Sequence, residues 1–275
     1  MTAHFSVWSQ FYNTKEPEEA ILEFEKDGLK HTELSSEHSI SLLDRNGSPA
    51  EIGREFANFC LQHGVKIIQA HMVFPSDIVT DESIFDTLVR QMEMLDAMGV
   101  PCAVLHGDPM TNKDIPYEEK LKRNVEALKK LLSLSSHTKV TLCLENLRHI
   151  FRGIDEILCV IDAVGSDRLA VCLDTGHLNL TKTGTQRDFI LKAGNRLRAL
   201  HIANNDGKED RHLAPFTGSV GIDFTEVVDA LREINYNGLF NYEIGGESHN
   251  CPAAVKHIKY LGLKAGYDYL MGNLK

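Results

Sequence analysis

Six polar residues each close a short apolar run in this sequence. His71 ends Ile67-Ile68-Gln69-Ala70, His106 follows Val104-Leu105, and Glu145 follows Leu142-Cys143-Leu144. Asp174 follows Val171-Cys172-Leu173, His201 follows Ala199-Leu200, and Glu243 follows Asn241-Tyr242. Three carboxylates and an imidazole, Glu145, Asp174, Glu243 and His201, repel and desolvate one another in a low-dielectric cup unless a divalent cation compensates them. Three oxygen ligands and one nitrogen suit Mn²⁺, Co²⁺, Mg²⁺ or Zn²⁺. Adding His71, His106, His177, Asp210 and His212 makes the set richer in nitrogen, which moves the preference toward Zn²⁺ and leaves room for more than one metal.

Such a set works only if the chain brings its members together. Short apolar runs alternate with helix-period segments from end to end, the pattern of repeated strand-helix units and a parallel sheet. Eight strands are expected: His4 to Trp8, Lys30 to Leu34, Val65 to Met72, Pro101 to His106, Lys139 to Asn146, Leu169 to Asp174, Leu197 to Ala203 and Leu239 to Ile244. Spread over 275 residues, eight units take about 34 residues each, as a (β/α)₈ TIM barrel requires. An amphipathic helix is predicted over Ser83 to Gly99, with Ile84, Leu88, Met92, Leu95 and Met98 on one face and Gly99 as its cap. Another runs from Asp223, which with Glu226 resembles a capping box, to Gly238, and a third opens at Pro116 with the stripe Leu121, Val125, Leu128 and Leu132. No GxGxxG or GxxxxGK loop supports an open doubly wound sheet. No Gly/Ser/Pro linker divides the chain, so residues 1–275 read as one α/β barrel domain.

Strand side chains alternate faces, so residues in phase with the terminal polar groups point the same way. Those in phase are Gln69, Val104, Thr141, Cys143, Ala170, Cys172, Ala199 and Asn241; those out of phase include Leu142, Leu144, Val171, Leu173, Leu200, Ile202, Phe240 and Tyr242. The larger apolar set must face the helices. The smaller set faces the barrel axis and aims six polar groups at one point, at the strand ends where barrel enzymes place their chemistry. A lone histidine at a strand end is usually structural; six polar groups in phase on successive strands form a site. His4, His31, His38, His63, His137, His149, His249 and His257 keep the structural reading.

The chain is 43% apolar and 25% charged, the balance of an ordinary globular protein. Its formal charge of −10 repels polyanions and gives no footprint for nucleic acid. No signal peptide or 18-residue apolar run is present, so a cytoplasmic location without a membrane span is expected. The six cysteines show no CxxC spacing, which argues against disulfides and a cysteine zinc site. Lys113, Arg148, Arg152, Lys182, Lys208 and Arg211 fall in loops after strands, where a few can hold a substrate phosphate or carboxylate and most are solvated charge.

The segments Leu142-Cys-Leu-Glu145-Asn, Leu173-Asp174-Thr-Gly-His177 and Leu200-His201-Ile-Ala-Asn-Asn-Asp206, followed by Gly221-Ile-Asp223 and Glu243, resemble the xylose isomerase-like TIM-barrel superfamily. This superfamily holds sugar and sugar-phosphate isomerases and epimerases, inosose dehydratases and endonuclease IV. The resemblance implies one divalent metal on Glu145, Asp174, His201 and Glu243. It also implies a second possibility, since His71, His106, His177, Asp210 and His212 match the other ligands of the endonuclease's three-zinc cluster. The acidic charge and the loops His106-Gly-Asp-Pro and Glu145-Asn-Leu-Arg148 favour the sugar enzymes.

The expected activity is a metal-dependent isomerisation or epimerisation of a sugar, sugar phosphate or cyclitol, with Glu145 and Glu243 as acid/base pair and Asp174 and His201 holding the ion. His71, His106, His177 and Arg211 would orient substrate oxygens, and either Asp206 or Asp210 would reach the rim. A zinc phosphodiester hydrolase is the alternative, and a sugar-binding barrel without catalysis a third. Barrels of this type commonly pair, so a homodimer is compatible with the resemblance.

Overall fold

The structure is a computed structural model that describes residues 3–218, 221–246 and 251–274; His249 lies outside them. The described residues form eight strands: β1 (His4–Val7), β2 (His31–Leu34), β3 (Lys66–His71), β4 (Cys102–Leu105), β5 (Thr141–Glu145), β6 (Leu169–Asp174), β7 (Leu197–His201) and β8 (Leu239–Tyr242). The helices are α1 (Pro17–Asp27), α2 (Ser36–Leu43), α3 (Pro49–Gln62), α4 (Ile84–Met98), α5 (Tyr117–Leu134), α6 (Ile154–Val164), α7 (Thr175–Thr181), α8 (Gln186–Ala193), α9 (Phe224–Glu233) and α10 (Ala253–Met271).

Strands β2 to β7 form one parallel sheet in chain order, and β1 pairs with β8. Two seams complete the ring. Between β7 and β8 the amide of Ile202 donates to the Asn241 carbonyl at 2.8 Å, and between β1 and β2 the Thr32 hydroxyl donates to the Val7 carbonyl at 2.7 Å. β2 and β6 end where expected, at Leu34 and Asp174, and the other six strands end a residue or two earlier than predicted, so His106 and Glu243 are the first loop residues after β4 and β8. Backbone pairing stops where polar side chains fan out over the barrel mouth.

The two faces divide as the alternation requires. Cys102, Val104, Cys143, Ala170, Cys172 and Ala199 make a small cluster on the axis, all buried. Leu142, Leu144, Val171, Leu173, Leu200, Ile202, Phe240 and Tyr242 join the larger core between sheet and helices. All six cysteines are free thiols.

Helix α4 buries Phe85, Leu88, Met92 and Leu95 and stops at Gly99, whose φ of 74° is left-handed. Helix α9 is capped by Asp223, which accepts from the amides of Thr225 and Glu226, but it does not run to Gly238. It ends at Glu233, and Asn235 makes the turn with φ 55°. Gly238 serves instead to let Tyr236 pack against the chain entering β8. Helix pairs α2–α3 and α7–α8, absent from the sequence reading, fill the gaps after β2 and β6. Helices α3 and α4 meet at Gly53, where a Cβ would strike the Met94 carbonyl.

Candidate metal centre and active site

The register of the sheet sets the site. Asp174 pairs with His201 across β6 and β7, and Glu145 pairs with Cys172, the in-phase residue just before Asp174, so three neighbouring strand ends present polar groups within one in-phase step of each other. Glu243 joins them from β8. All four are buried: Glu145 and Asp174 are 1% exposed, His201 0% and Glu243 8%. One ligand atom from each of the four lies within 4.8 Å of the other three.

Buried polar atoms are almost always hydrogen-bonded. Here Glu145 Oε1, Asp174 Oδ2, His201 Nδ1 and Glu243 Oε2 have no hydrogen-bond partner, one atom from every member of the set. Nδ1 of His201 sits 3.3 Å from Glu145 Oε2 and 3.3 Å from Glu243 Oε2 without hydrogen-bond alignment. Four residues whose ligand atoms approach one another this closely, each with one buried oxygen or nitrogen left without a hydrogen bond, fit a divalent cation.

The surrounding groups fix how these atoms point. Nε2–H of His201 donates to Glu33 Oε2 at 3.0 Å, which leaves Nδ1 as the lone pair facing the carboxylates. Glu33, on β2, is fully buried and also accepts from Gln69. Asn146 clamps the end of β6: its side-chain amide donates to the Asp174 carbonyl at 2.9 Å and accepts from the Asp174 amide at 2.8 Å. The other Asp174 oxygen caps α7 by accepting from the His177 amide at 2.6 Å.

Beside the four lies a second ligand-capable trio, His71, His106 and Glu145. Nε2 of His106 is 2.9 Å from Glu145 Oε2 and 3.2 Å from Nε2 of His71, whose Nδ1–H donates to the Met72 carbonyl at 2.7 Å. On the other side, Nε2 of His177 is 3.0 Å from Asp210 Oδ2, and Nε2 of His212 lies 3.5 Å from the same oxygen. Nδ1 of His177 approaches Glu145 Oε1 to 2.9 Å, but its hydrogen bond goes to the Asn146 carbonyl at 3.1 Å.

Electrostatics divide the carboxylates. Burial pushes Glu145 upward, but interaction with His106 and His201, the hydrogen bond with His106 and the close approach of His177 outweigh it and hold the group well below the usual carboxylate range. At Glu243 burial prevails, reinforced by Glu145 and Asp174 against His201 and His212, and the carboxyl is pushed up to about 8. His71 is pulled down to about 4, mainly by burial and then by electrostatic interaction with the neighbouring His106 and His201 rings, which favours a neutral ring. Burial pulls His201 down, yet Glu243 and Glu33 carry it well above its ordinary value. A proton on His201 and a divalent cation are alternative ways of balancing the same carboxylates.

The structure thus brings together nine of the ten site residues expected from sequence. Arg211 is the exception: half-exposed, its guanidinium pairs with Glu209 at 2.8 Å. Asp206 is used up as a turn former, accepting from the amides of Lys208 and Glu209, so Asp210 is the acid at the rim. Arg152 is paired with Glu156 and stacked on Tyr117, and Lys182 caps α7. Glu33 and Asn146 escaped the sequence reading as site residues. The available signal for Glu33 was a glutamate one place from the end of the short strand His31–Leu34.

The fold and the site define a parallel barrel with a buried carboxylate–histidine cluster at its mouth that could hold a metal ion. The family described as xylose isomerase-like TIM barrel matches residues 24–262, and the chain belongs to it. The D-psicose 3-epimerase of Enterocloster bolteae is 34% identical over 120 residues, 42% of this chain and 37% of that protein, so the match spans about a third of that relative's length. A probable endonuclease 4 of Mycoplasmopsis pulmonis is 22% identical over 186 residues, 62% of this chain and 66% of that protein. Among solved structures, a D-psicose 3-epimerase in the presence of D-fructose superposes with a TM-score of 0.80 at 16% identity, over 98% of this chain and 99% of that one. No described helix is long and apolar enough to cross a membrane.

Proposed function

We propose that this chain is a divalent-metal-dependent isomerase or epimerase that moves a proton next to the carbonyl of a sugar, sugar phosphate or cyclitol. The observation that carries the reading is the set of four orphaned buried atoms on Glu145, Asp174, His201 and Glu243. These residues would hold Mn²⁺ or Zn²⁺, with Co²⁺ or Mg²⁺ as substitutes. The cation supplies Lewis-acid stabilisation of the negative charge that develops on substrate oxygens when the C–H proton leaves.

The chain's own residues do the rest. Glu145 and Glu243 flank the cup from β5 and β8, one on each side of a bound carbonyl, and exchange the proton between its faces. His106 and His177 touch Glu145 and keep it ionised as a base. Asp174 and His201 position the ion, and Glu33 fixes the His201 ring. His71, His212 and Asp210 sit at the rim, where they orient hydroxyls. The matched epimerases support this chemistry and a ketose substrate.

A second reading, a phosphodiester hydrolase with additional zinc ions, is favoured by the His71–His106–Glu145 trio and by the matched endonuclease. One experiment separates the two. Protein loaded with Mn²⁺ is incubated in D₂O with a ketose panel and, separately, with abasic-site DNA. Deuterium appearing beside the ketose carbonyl, without DNA cleavage, is expected; cleavage without exchange would reverse the assignment.

A further inference from the structure

A cavity of about 310 Å³ opens beside the metal cup, between the loops that follow β3, β4 and β5. His106 and His177 line it, and both also contact Glu145, so cavity and cup share a wall. Most of the surface that the remaining lining presents is apolar, from Phe74, Pro75, Pro109, Leu147 and Ile150, with Ser76, Asp77, Arg148 and His149 as the polar members. Phe74 stands 56% exposed with its ring edge-on to His106 at 4.9 Å between centroids, an aromatic face kept in water at the mouth of a polar site.

That wall is wrong for more sugar. Nearly every carbon of a polyol carries a hydroxyl, and a hydroxyl buried without a partner costs about 1–3 kcal/mol. Proline has no N–H, and phenylalanine, leucine and isoleucine side chains offer nothing to bond. The nearest hydroxyl, on Ser76, already donates to the His106 carbonyl at 3.3 Å. Of the other polar members of the lining, Arg148 and His149 are exposed to solvent and Asp77 is half-buried. A cavity of about 150 Å³ suffices for a benzene ring, so this one takes an aryl-sized group with its linker.

We infer that the substrate of this site, on the isomerase reading above, is a keto sugar carrying an apolar, aryl-sized substituent, and that the Phe74–Leu147–Ile150 cavity is the subsite for that substituent. The metal cup grips the polar reacting end, and the cavity selects the apolar end. Burying a phenyl ring removes on the order of 100 Å² of apolar surface from water, which at about 25 cal/mol per Å² gives a gain approaching 100-fold, reduced by ordering of the linker to about 10-fold or more.

The test compares D-fructose with its 1-O-benzyl and 6-O-benzyl ethers as ligands of the Mn²⁺-loaded protein, by calorimetric Kd. The two ethers cover both ends of the chain on which the substituent can sit. One ether binding at least about 10-fold tighter than D-fructose is expected. The ether-to-fructose ratio, taken within each variant, should then fall toward one in Phe74→Ala and in Leu147→Gln, which alter different loops. Both ethers binding no tighter than D-fructose, or a ratio unmoved in both variants, overturns the inference. Deuterium exchange on the same ligands is read separately: tight ether binding without exchange on any ketose would sink the isomerase reading and leave the subsite standing.

Discussion

Glu33 touches no substrate and no candidate metal, yet its replacement should weaken metal binding. Its carboxylate takes the Nε2–H of His201 at 3.0 Å, with both side chains fully buried. A charge-assisted hydrogen bond contributes about 1.5–3 kcal/mol and a neutral one about 0.5–1.5. Glu33→Gln keeps an acceptor but loses the charge, so the His201 lone pair loses about 1–1.5 kcal/mol of support, and Mn²⁺ affinity falls about 10-fold. Glu33→Ala strands the ring N–H, a further cost of about 1–3 kcal/mol, and carries the loss toward 100-fold. The assay is Mn²⁺ titration followed by electron paramagnetic resonance, paired with denaturant unfolding of the metal-free protein. A purely structural Glu33 would lower stability and leave affinity alone. Both variants binding Mn²⁺ within about 2-fold of wild type would refute the positioning role.

Asn146→Ala removes the clamp on both backbone groups of Asp174, and urea unfolding should report a loss of about 2–5 kcal/mol, the cost of two unpaired buried groups. Gly53→Ala drives a methyl into the Met94 carbonyl where α3 crosses α4, so unfolding should show about 1–3 kcal/mol of destabilisation, and an unchanged midpoint would contradict the packing described. His38 is held neutral between the Ser9 hydroxyl at 2.8 Å and the Lys15 carbonyl at 3.0 Å, and burial lowers its pKa. The unfolded chain therefore binds the proton more readily. This contribution to stability is complete above about pH 6.5 and fades as pH falls from there toward the folded pKa, at no more than about 1.4 kcal/mol per pH unit. The stability difference between wild type and His38→Gln, measured from pH 7.5 down to 5, should shrink by that route; a pH-independent difference would contradict it.

The barrel was legible because its strands obey a simple alternation. In-phase small residues such as Val104, Cys143, Cys172 and Ala199 lie on the axis, and out-of-phase Leu144, Leu173 and Tyr242 lie under the helices. The same phase placed His71, His106, Glu145, Asp174, His201 and Glu243 at the mouth. Three-dimensional partners were not legible in that way. Glu33 and His201 stand far apart in sequence, and only the closing of the ring makes them neighbours. Short helices α2 and α7 carry too few turns for a periodic signal, and the end of α9 was misjudged because Asn235 rather than glycine adopts the left-handed turn. Arg211 stands apart from the cluster for a local reason, since its guanidinium pairs with Glu209 two residues earlier.

The central claim is a single cation, bound by Glu145, Asp174, His201 and Glu243, that supports proton transfer on a keto sugar. Metal content per chain, measured on protein dialysed against Mn²⁺ and tested in D₂O with a ketose, addresses it directly. The account predicts one bound cation, lost in Asp174→Asn, and deuterium incorporated next to the carbonyl only when that cation is present. Three tightly held zinc ions per chain, with no exchange on any ketose and strand cleavage at abasic sites, would contradict it.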